Sequence, residues 1–304
     1  IPLAKPTAFN FGQQSQDKVR HGTAGVTYVG QWAGVGEVSV GVQKSFYRRT
    51  VDKFGPTLTT TRNNPWLYNG TLAIEGSKNL TFYASYTRGL EDSGIAPESA
   101  ANPGEALAAS LTEQVDAGLR YKLTPDITLV AGVFEVKKPY FDRNTSNVFS
   151  RVGSLRHRGV EMSLSGQPLE GLKVVAGVVL LQARVSGTTV NLGLIGDVPP
   201  GKTPVLVRLN ADYGPAAWRG FSVNAKVSFE DSYNANRLNT VRISSTTTVD
   251  LGARYNFKFY DTSASIRFDV QNVTDAFAWK VAGASGLYMP VSPRKYVTRV
   301  AAEF

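Results

Sequence analysis

The sequence contains no cysteine and only two histidines, His21 and His157, which lie far apart along the chain. Without cysteine there is no disulfide framework, no thiolate metal site and no cysteine nucleophile. Two distant histidines also exclude a metal centre built from several imidazoles. No apolar run approaches the roughly 18 residues of a membrane-spanning helix. The longest runs, such as residues 174–181, have the length of a strand.

Long runs of positive charge are also missing, although the formal net charge is +9 and the isoelectric point is about 9.6. This scattered basic charge argues against a nucleic-acid partner and favours an anionic membrane surface or an anionic ligand. Residues 1–5 lack the basic and apolar regions of a signal peptide. We therefore expect that a leader was removed or that the chain begins within a longer protein.

What the sequence does contain is an alternation of apolar and polar residues along most of its length. Val115, Ala117, Leu119 and Tyr121, for example, alternate with polar neighbours. Successive side chains of a strand point to opposite faces, so each such segment has one apolar and one polar face. The pattern predicts an all-β chain of about thirteen strands. They are expected at residues 19–31, 35–49, 67–75, 79–90, 111–123, 126–138, 150–165, 171–186, 203–213, 220–230, 244–257, 262–272 and 291–304.

The segments that connect these strands alternate in length. Long polar loops are expected near residues 50–66, 91–110, 139–149, 187–202, 231–243 and 273–290, with short turns between them. Short turns on one rim, long loops on the other and aromatic residues at strand ends are typical of an antiparallel transmembrane β-barrel of the bacterial outer membrane. A soluble β-sandwich or propeller, with its polar face in water, is the alternative.

The last strand ends on an aromatic residue, with Val300, Ala302 and Phe304 on one face, and resembles the terminal strand of outer-membrane barrels. Four stretches, residues 113–121, 158–161, 251–255 and 269–275, are similar to segments of TonB-dependent siderophore receptors. The resemblance covers most of the chain from about Leu67 onward and implies a barrel of about 22 strands filled by an N-terminal plug. Nothing before Val19 resembles a plug, so residues 1–304 are expected to be a single barrel-domain fragment, the C-terminal part of the barrel without its plug and first strands.

The resemblance implies an outer-membrane receptor that imports a ferric siderophore, with energy supplied by the inner-membrane TonB complex. Neither a catalytic residue nor a cofactor is then required, and iron arrives inside its chelator. Further expected partners are the barrel-assembly machinery, outer-membrane lipid and lipopolysaccharide. Vitamin B12, heme or a sugar is the alternative ligand within the same family. A passive porin and an outer-membrane hydrolase are the alternatives outside it.

Three sets of residues are candidates for these roles. Charged side chains at strand centres are expected to line the lumen and contact the plug, because arginine and carboxylate side chains form ladders of ion pairs. These are Asp116, Arg120, Glu161, Arg208, Asp212, Asp250, Arg254, Arg267 and Asp269. Basic and aromatic residues of the loops and the lumen are expected to attract and stack on the ligand. These are Arg62, Tyr140, Phe141, Arg143, Arg156, His157 and Trp279. The assembly signal is expected in Tyr296, Val300 and Phe304.

Two features of the sequence could suggest nucleotide binding or catalysis, and both are interpreted otherwise. Residues 196–203 match the phosphate-binding pattern G-x-x-x-x-G-K-[ST]. That mechanism needs a helix after the loop, whereas Pro204 and an alternating strand follow, so an extracellular loop is predicted. His157 is predicted to be a solvated rim residue and not a catalytic base, because a base needs a nucleophile and an orienting carboxylate within reach.

Overall fold

The structure, a computed structural model, describes residues 15–52, 59–260, 262–282 and 287–303. Most of these residues are in strands. The regular structure outside the strands is one helix, α1 (Thr188–Asn191), and a 3-10 turn at Ala216–Trp218. None of the helices in these ranges is long and apolar enough to cross a membrane. The strands are β1 (Gln16–Trp32), β2 (Gly36–Asp52), β3 (Thr59–Asn63), β4 (Trp66–Ser77), β5 (Leu80–Glu91), β6 (Ser110–Thr124), β7 (Ile127–Arg143), β8 (Phe149–Leu169), β9 (Leu172–Ser186), β10 (Val205–Tyr213), β11 (Phe221–Glu230), β12 (Tyr233–Asn234), β13 (Arg242–Ile243), β14 (Thr246–Phe259), β15 (Thr262–Gln271), β16 (Trp279–Ala282), β17 (Leu287–Pro290) and β18 (Lys295–Glu303).

One 14-stranded antiparallel sheet contains most of the chain. Its order is β1-β2-β4-β5-β6-β7-β8-β9-β10-β11-β14-β15-β18, and β3 pairs with β2 beside this path. The thirteen strands of the path correspond one by one to the predicted segments, so the predicted antiparallel barrel wall is confirmed. Within the described ranges β1 and β18 form the two edges and the sheet is not closed. The total of about 22 strands stays a prediction.

The connections also follow the prediction, with two corrections. The loop expected at residues 50–66 contains the end of β2 and the strand β3. Six short turns occupy one rim, which we call the short-turn rim, and the longer loops occupy the opposite long-loop rim. The loop expected at residues 139–149 is mostly strand, because β7 continues to Arg143 and only residues 144–148 remain. The strand continues through Pro139 because proline is tolerated beside a bulge, and the register shifts between Tyr140 and Phe141.

The two faces of the sheet differ in polarity. On the outward face Val133, Val160 and Met162 are 55%, 39% and 45% exposed, so no second layer of described residues covers them as in a sandwich. The inward face is concave and lined by polar side chains from several strands, including Asp212 and Arg267, around a cavity of about 370 Å³. An apolar outer band around a polar interior is the arrangement of a membrane barrel.

Strand length divides the wall into two zones. A tilted strand crosses the hydrocarbon in about 9–11 residues, which we count from the short-turn rim. Several strands are much longer, since β1, β2 and β7 each have 17 residues. Their remaining residues extend beyond the membrane towards the long-loop rim. There a small buried cluster of Leu155, Val185 and Ile195 joins strands to a loop.

Candidate functional site

The inward wall carries ion pairs both between strands and within one strand. Arg254 of β14 lies 3.6 Å from Asp212 of β10, and Arg267 lies 2.9 Å from Asp269 on the same strand, β15. Asp250 is directly opposite Lys226 in the β11–β14 register, with 4.0 Å between Nζ and Oδ2. The pairs between strands connect β10, β11 and β14, and β15 joins them because Arg267 donates to the side-chain oxygen of Asn224 on β11. This part of the predicted lumen wall therefore forms a polar network.

The other predicted wall residues are arranged differently. Arg208 pairs with Glu230 at 2.6 Å, a carboxylate that the sequence analysis did not single out. Asp116 accepts hydrogen bonds from Ser85 at 2.6 Å and Gln114 at 3.2 Å. Arg120 and Glu161 have no salt-bridge partner among the described residues. The ion pairs of the predicted lumen wall are therefore concentrated on the C-terminal strands and sparse around β5–β8.

His157 faces inward at the long-loop rim. Its Nε2 is buried and has no hydrogen-bond partner among the described residues. Burial, together with Lys202 and Lys138, lowers the pKa of His157 to about 4, and Glu91 opposes this shift. Lys138 in turn lies 2.7 Å from Glu91. His157 is therefore a neutral ring at pH 7 beside a lysine-rich group.

Among the described residues, nothing around His157 resembles a hydrolytic triad. Ser154, the serine nearest in sequence, shares a hydrogen bond of 2.9 Å with Ser186. No described serine hydroxyl lies within hydrogen-bonding distance of His157 Nε2. The prediction that this histidine is not a catalytic base agrees with this geometry, but the predicted solvated environment is wrong because the ring nitrogen is buried.

The loop between β9 and β10 folds onto this rim. Ile195 of the loop packs on Leu155 and Val185, and Tyr140 packs against the same cluster. Burial first, and then Asp142, raises the pKa of Tyr140 to about 12. The motif of residues 196–203 lies in this loop and leads into strand β10, not into a helix. It therefore lacks the helix N-terminus that a nucleotide phosphate site requires.

Two short hairpins form a second part of the rim. Tyr233 of the β12–β13 hairpin donates a hydrogen bond to the carbonyl oxygen of Trp279 in the β16–β17 hairpin, at 3.4 Å. Lys280 lies 3.2 Å from Glu230. The rings of Phe277 and Trp279 meet edge to face at 5.6 Å and remain 69% and 48% exposed. An exposed aromatic pair thus stands beside a charged group.

A third contact ties the β5–β6 loop to the wall. Arg49 of β2 is only 6% exposed and binds both oxygens of Asp17, at 3.0 and 2.6 Å. It also donates to Asp92 at 2.5 Å and to the Gly94 carbonyl at 3.3 Å. The hydrogen bonds from Arg49 to Asp17 lower the pKa of this carboxyl, and partial burial opposes the shift. One guanidinium group therefore ties the start of this loop to β1 and β2.

The structure does not gather all predicted ligand residues. His157 and Tyr140 face inward together, and Trp279 belongs to the hairpin part of the rim. Arg143 ends β7, with Nη1 3.5 Å from Ser99, and Phe141 precedes it at the bulge. The other two face outward: Arg156 lies 3.9 Å from Glu135, and Arg62 lies on β3.

Sequence reasoning missed Glu91 and Glu230, although each holds one of the rim lysines. Each is the last residue of its strand and lies at the long-loop rim. The signal that could have found them is their position at the end of an alternating segment. A carboxylate there meets basic residues of neighbouring strands and loops.

The predicted assembly residues lie on the outward face of β18. Tyr296 and Val300 are 64% and 72% exposed, and Tyr296 stacks on Phe268 at 6.4 Å between ring centroids. Phe304 lies outside the described residues. The role of these residues as an assembly signal stays a prediction.

An antiparallel wall with an apolar outer band, a polar inner face and long loops on one rim defines an outer-membrane β-barrel. The model of the family described as "TonB dependent receptor-like, beta-barrel" matches residues 6–273. The chain belongs to this family. It is therefore a protein of the bacterial outer membrane, and the predicted family and localisation are confirmed.

Individual relatives agree with this assignment. The chain is 25% identical to the ferrichrome receptor FcuA of Yersinia enterocolitica over 225 residues, which are 72% of this chain and 29% of that protein. Among solved structures it is similar to BauA, the ferric preacinetobactin receptor of Acinetobacter baumannii, with a TM-score of 0.79 and 23% identity over 96% of this chain and 44% of that one. It is also similar to the siderophore receptor PiuA of the same organism, with a TM-score of 0.76 and 15% identity over 95% and 43% of the two chains.

These relatives are receptors and not enzymes, as expected for this chain. The structural likenesses, at low identity, show the fold. The chain spans less than half the length of each of the three relatives.

Proposed function

We propose that this chain is part of the barrel of a TonB-dependent receptor that imports a ferric siderophore across the outer membrane. The observation that supports this most directly is the charge of the inward long-loop rim. Its four cations lie in two groups: Lys138 pairs with Glu91 while Lys202 lies near His157, and Arg208 and Lys280 pair with Glu230. The excess of two positive charges, beside the exposed rings of Phe277 and Trp279, suits an anionic chelate with an apolar part.

In this proposal the remaining parts of the receptor act with the barrel. Residues 1–304 are a single barrel domain, and a plug outside them fills the lumen. The wall network around Asp212, Arg254 and Arg267 offers polar contacts to that plug. The TonB complex supplies energy through the plug, because the outer membrane has no usable potential of its own. Iron remains inside its chelator, and the protein needs no cofactor.

The test uses source cells grown with and without iron. We expect an outer-membrane protein that contains peptides of this chain, migrates far above 32.9 kDa and becomes more abundant under iron starvation. Cells lacking the gene should lose growth on one of a panel of ferric siderophores, with ferrichrome as the first member. A 32.9 kDa protein indifferent to iron would overturn the proposal and favour a porin. Iron-independent uptake of vitamin B12 or a sugar would assign another ligand.

The ligand residues can be tested on the same protein. Substituting Lys138 and Lys280 with glutamine removes two cations of the inward rim. We expect a weaker apparent affinity for the ferric siderophore, because electrostatic attraction into the mouth is reduced. The matched control is Lys122→Gln with Lys173→Gln, on the inward face near the short-turn rim. Equal loss in both variants would show that the rim charge has no special role.

A further inference from the structure

The loop between β9 and β10 contacts several neighbouring parts of the long-loop rim. Its residues 192–204, which we call the hub loop, contain the motif that resembles a phosphate-binding loop. Near one end Ile195 is 3% exposed and packs on Leu155. Near the other end lies Lys202, which after burial is the second cause of the lowered pKa of His157. The hub loop therefore contacts both the strand ends and the charged part of the rim.

An asparagine from another loop holds the middle of the hub loop. Asn239, between β12 and β13, pairs with the backbone of Val198 through both ends of its side-chain amide. Its Oδ1 accepts from the Val198 N–H at 3.0 Å, and its Nδ2 donates to the Val198 carbonyl oxygen at 2.7 Å. We call such a pair an amide clamp. The side chain takes the place that a neighbouring strand would have for this residue.

Gly196, the first glycine of the motif, makes room for this clamp. A Cβ atom at residue 196 would lie 2.0 Å from Oδ1 and 2.2 Å from Cγ of Asn239. No side-chain carbon fits there while the amide is in place. The Gly196 N–H also donates to the carbonyl oxygen of Arg237 at 2.7 Å. A loop–loop contact therefore accounts for a glycine at this position of the motif.

The second glycine of the motif contacts the two hairpins of the rim. Gly201 has a φ of 73°, in the left-handed region, and its N–H donates to the carbonyl oxygen of Asn234 at 2.9 Å. A Cβ atom at residue 201 would lie 3.3 Å from Cβ of Val281 in the β16–β17 hairpin. The two hairpins are themselves joined by the hydrogen bond from Tyr233 to the Trp279 carbonyl oxygen. The hub loop and both hairpins thus form one set of contacts.

A second amide clamp lies elsewhere on the rim. Asn102 of the β5–β6 loop pairs with the backbone of Phe149, where Oδ1 accepts at 2.8 Å and Nδ2 donates at 3.0 Å. Beside it the Ala101 N–H donates to the carbonyl oxygen of Asn147 at 2.8 Å. The Asn147 Nδ2 donates to the carbonyl oxygen of Ser99 at 2.9 Å. These four hydrogen bonds tie the β5–β6 loop to the turn between β7 and β8.

Strands β7 and β8 connect the two clamps. Tyr140 of β7 packs against the cluster that contains Ile195 of the hub loop. Asp142 of β7 lies 3.4 Å from Arg237, two residues before Asn239. Both strands continue from there to the turn that the second clamp holds. A series of contacts therefore runs from the β5–β6 loop through β7, β8 and the hub loop to the two hairpins.

We propose that Asn102 and Asn239 are positioning residues that couple the loops of the long-loop rim, so that these loops open and close as one unit. Each clamp satisfies backbone groups of a separate loop, and a loop that opens leaves those groups without their partner. Such coupling is reciprocal, because the free energy that links two sites has the same value from either one. Its consequence for transport rests on the proposed function: a ferric chelate bound at Lys202 closes loops that it does not touch.

The test is hydrogen exchange, read by mass spectrometry, on the full-length receptor in mild detergent without a ligand. Asn239→Asp keeps the size of the side chain and tolerates its left-handed φ of 58°. It puts a second oxygen in place of the donor that faces the Val198 carbonyl. We expect the Gly196 and Val198 amides to exchange about ten-fold faster, as for the loss of one or two neutral hydrogen bonds.

The coupling predicts a further effect at a distance. The Ala96 and Gly104 amides have their hydrogen bonds within the β5–β6 loop. In Asn239→Asp they should nevertheless exchange about three-fold faster. A merely local role of Asn239 would leave them unchanged. Asn102→Asp should show the reverse, with about three-fold faster exchange of the Gly196 amide in the hub loop.

Two further variants make the test specific. Gly196→Ala displaces the Asn239 side chain from the opposite side and should reproduce both effects of Asn239→Asp. Asn236→Asp is the matched control, because it adds the same charge to the same loop. Its Oδ1 accepts from the Thr240 and Val241 N–H groups of its own turn, and an aspartate keeps these bonds. The distant amides should exchange in this control as they do in wild type.

Several outcomes would overturn the coupling. These are faster exchange confined to the loop that carries the substitution, distant effects of unequal size in Asn102→Asp and Asn239→Asp, or a distant effect in the control. The gel shift of the heat-unfolded barrel checks folding, and Gly196→Ala replaces Asn239→Asp if that variant does not fold. The assay contains no iron chelate. A receptor with coupled loops that imports no siderophore would therefore refute the proposed function alone.

Discussion

The contact made by Arg49 predicts what happens when one guanidinium group is removed. Arg49→Gln keeps a polar side chain of moderate length but loses the charge and the fork that bridges Asp17 and Asp92. Because this bridge connects the β5–β6 loop to β1 and β2, we expect the loop to open while the sheet stays folded. The perturbation therefore separates local from global stability.

The expected change in the free energy of loop opening depends on how buried Arg49 and its two carboxylate partners are. Hydrogen bonds to charged groups contribute about 1.5–3 kcal/mol each, and those in one network are not additive. The Arg49 side chain is 7% exposed, but those of Asp17 and Asp92 are 40% and 49% exposed, so water screens and replaces part of the interaction. We expect the free energy of loop opening to fall by about 2 kcal/mol, which is about a 30-fold change in the opening equilibrium.

Hydrogen exchange read by mass spectrometry measures this opening. Backbone bonds within the loop join Ala96 N to the Glu105 oxygen and Gly104 N to the Ala96 oxygen, both at 2.9 Å. These amides should exchange about 30-fold faster in Arg49→Gln. Arg48→Gln, an exposed neighbour, is the control and should leave them unchanged. Unchanged exchange in Arg49→Gln, or equal acceleration throughout the barrel, would show that Arg49 does not hold the loop closed.

Three further predictions concern the rim and the wall. His157 should titrate with a midpoint near pH 4 in a histidine-selective NMR experiment. Since the unfolded chain binds this proton near pH 6.5, its contribution to stability is complete above pH 6.5 and is lost as the pH falls towards 4. Leu155→Ala should destabilise the packing on Val185 by about 2 kcal/mol and make the β9–β10 loop sensitive to protease. Asp269→Asn should cost about 1 kcal/mol in thermal unfolding by weakening the pair with Arg267.

Each of these has a result that contradicts it. A His157 midpoint near 6.5 would show that the ring is solvated. A protease pattern in Leu155→Ala identical to that of wild type would show that the loop is held by other contacts, and Leu164→Ala on the outward face is the control. An unfolding temperature for Asp269→Asn equal to that of wild type would assign the wall pairs no role in stability.

The strands of the wall could be predicted because the signal is local. In a strand such as β6, the polarity of each residue predicts which face of the sheet it occupies. Val115 is therefore assigned to the apolar face and Asp116 to the polar face without knowledge of the neighbouring strands. The same argument fails at Pro139, where a bulge allowed the strand to continue. The hairpins β12–β13 and β16–β17 are too short for any period to be detected.

The contacts between strands could not be predicted, because they depend on register. Sequence alone does not show that Lys226 lies opposite Asp250 or that Arg48 lies between two other arginines. The lowered pKa of His157 depends on loop placement, which brings Lys202 near the ring. Charge type was therefore predictable, while the partner of each charge was not.

The order of the sheet has a consequence for how such walls change. Every strand of the main path pairs with the next strand of that path along the chain, so each pair of strands and its turn is a modular unit. Insertion or duplication of one unit leaves the register of all others intact and widens the circumference by two strands. Loss of a single strand would invert the faces and direction of everything that follows. Selection can therefore resize the pore only in even steps, while each outer loop diversifies independently.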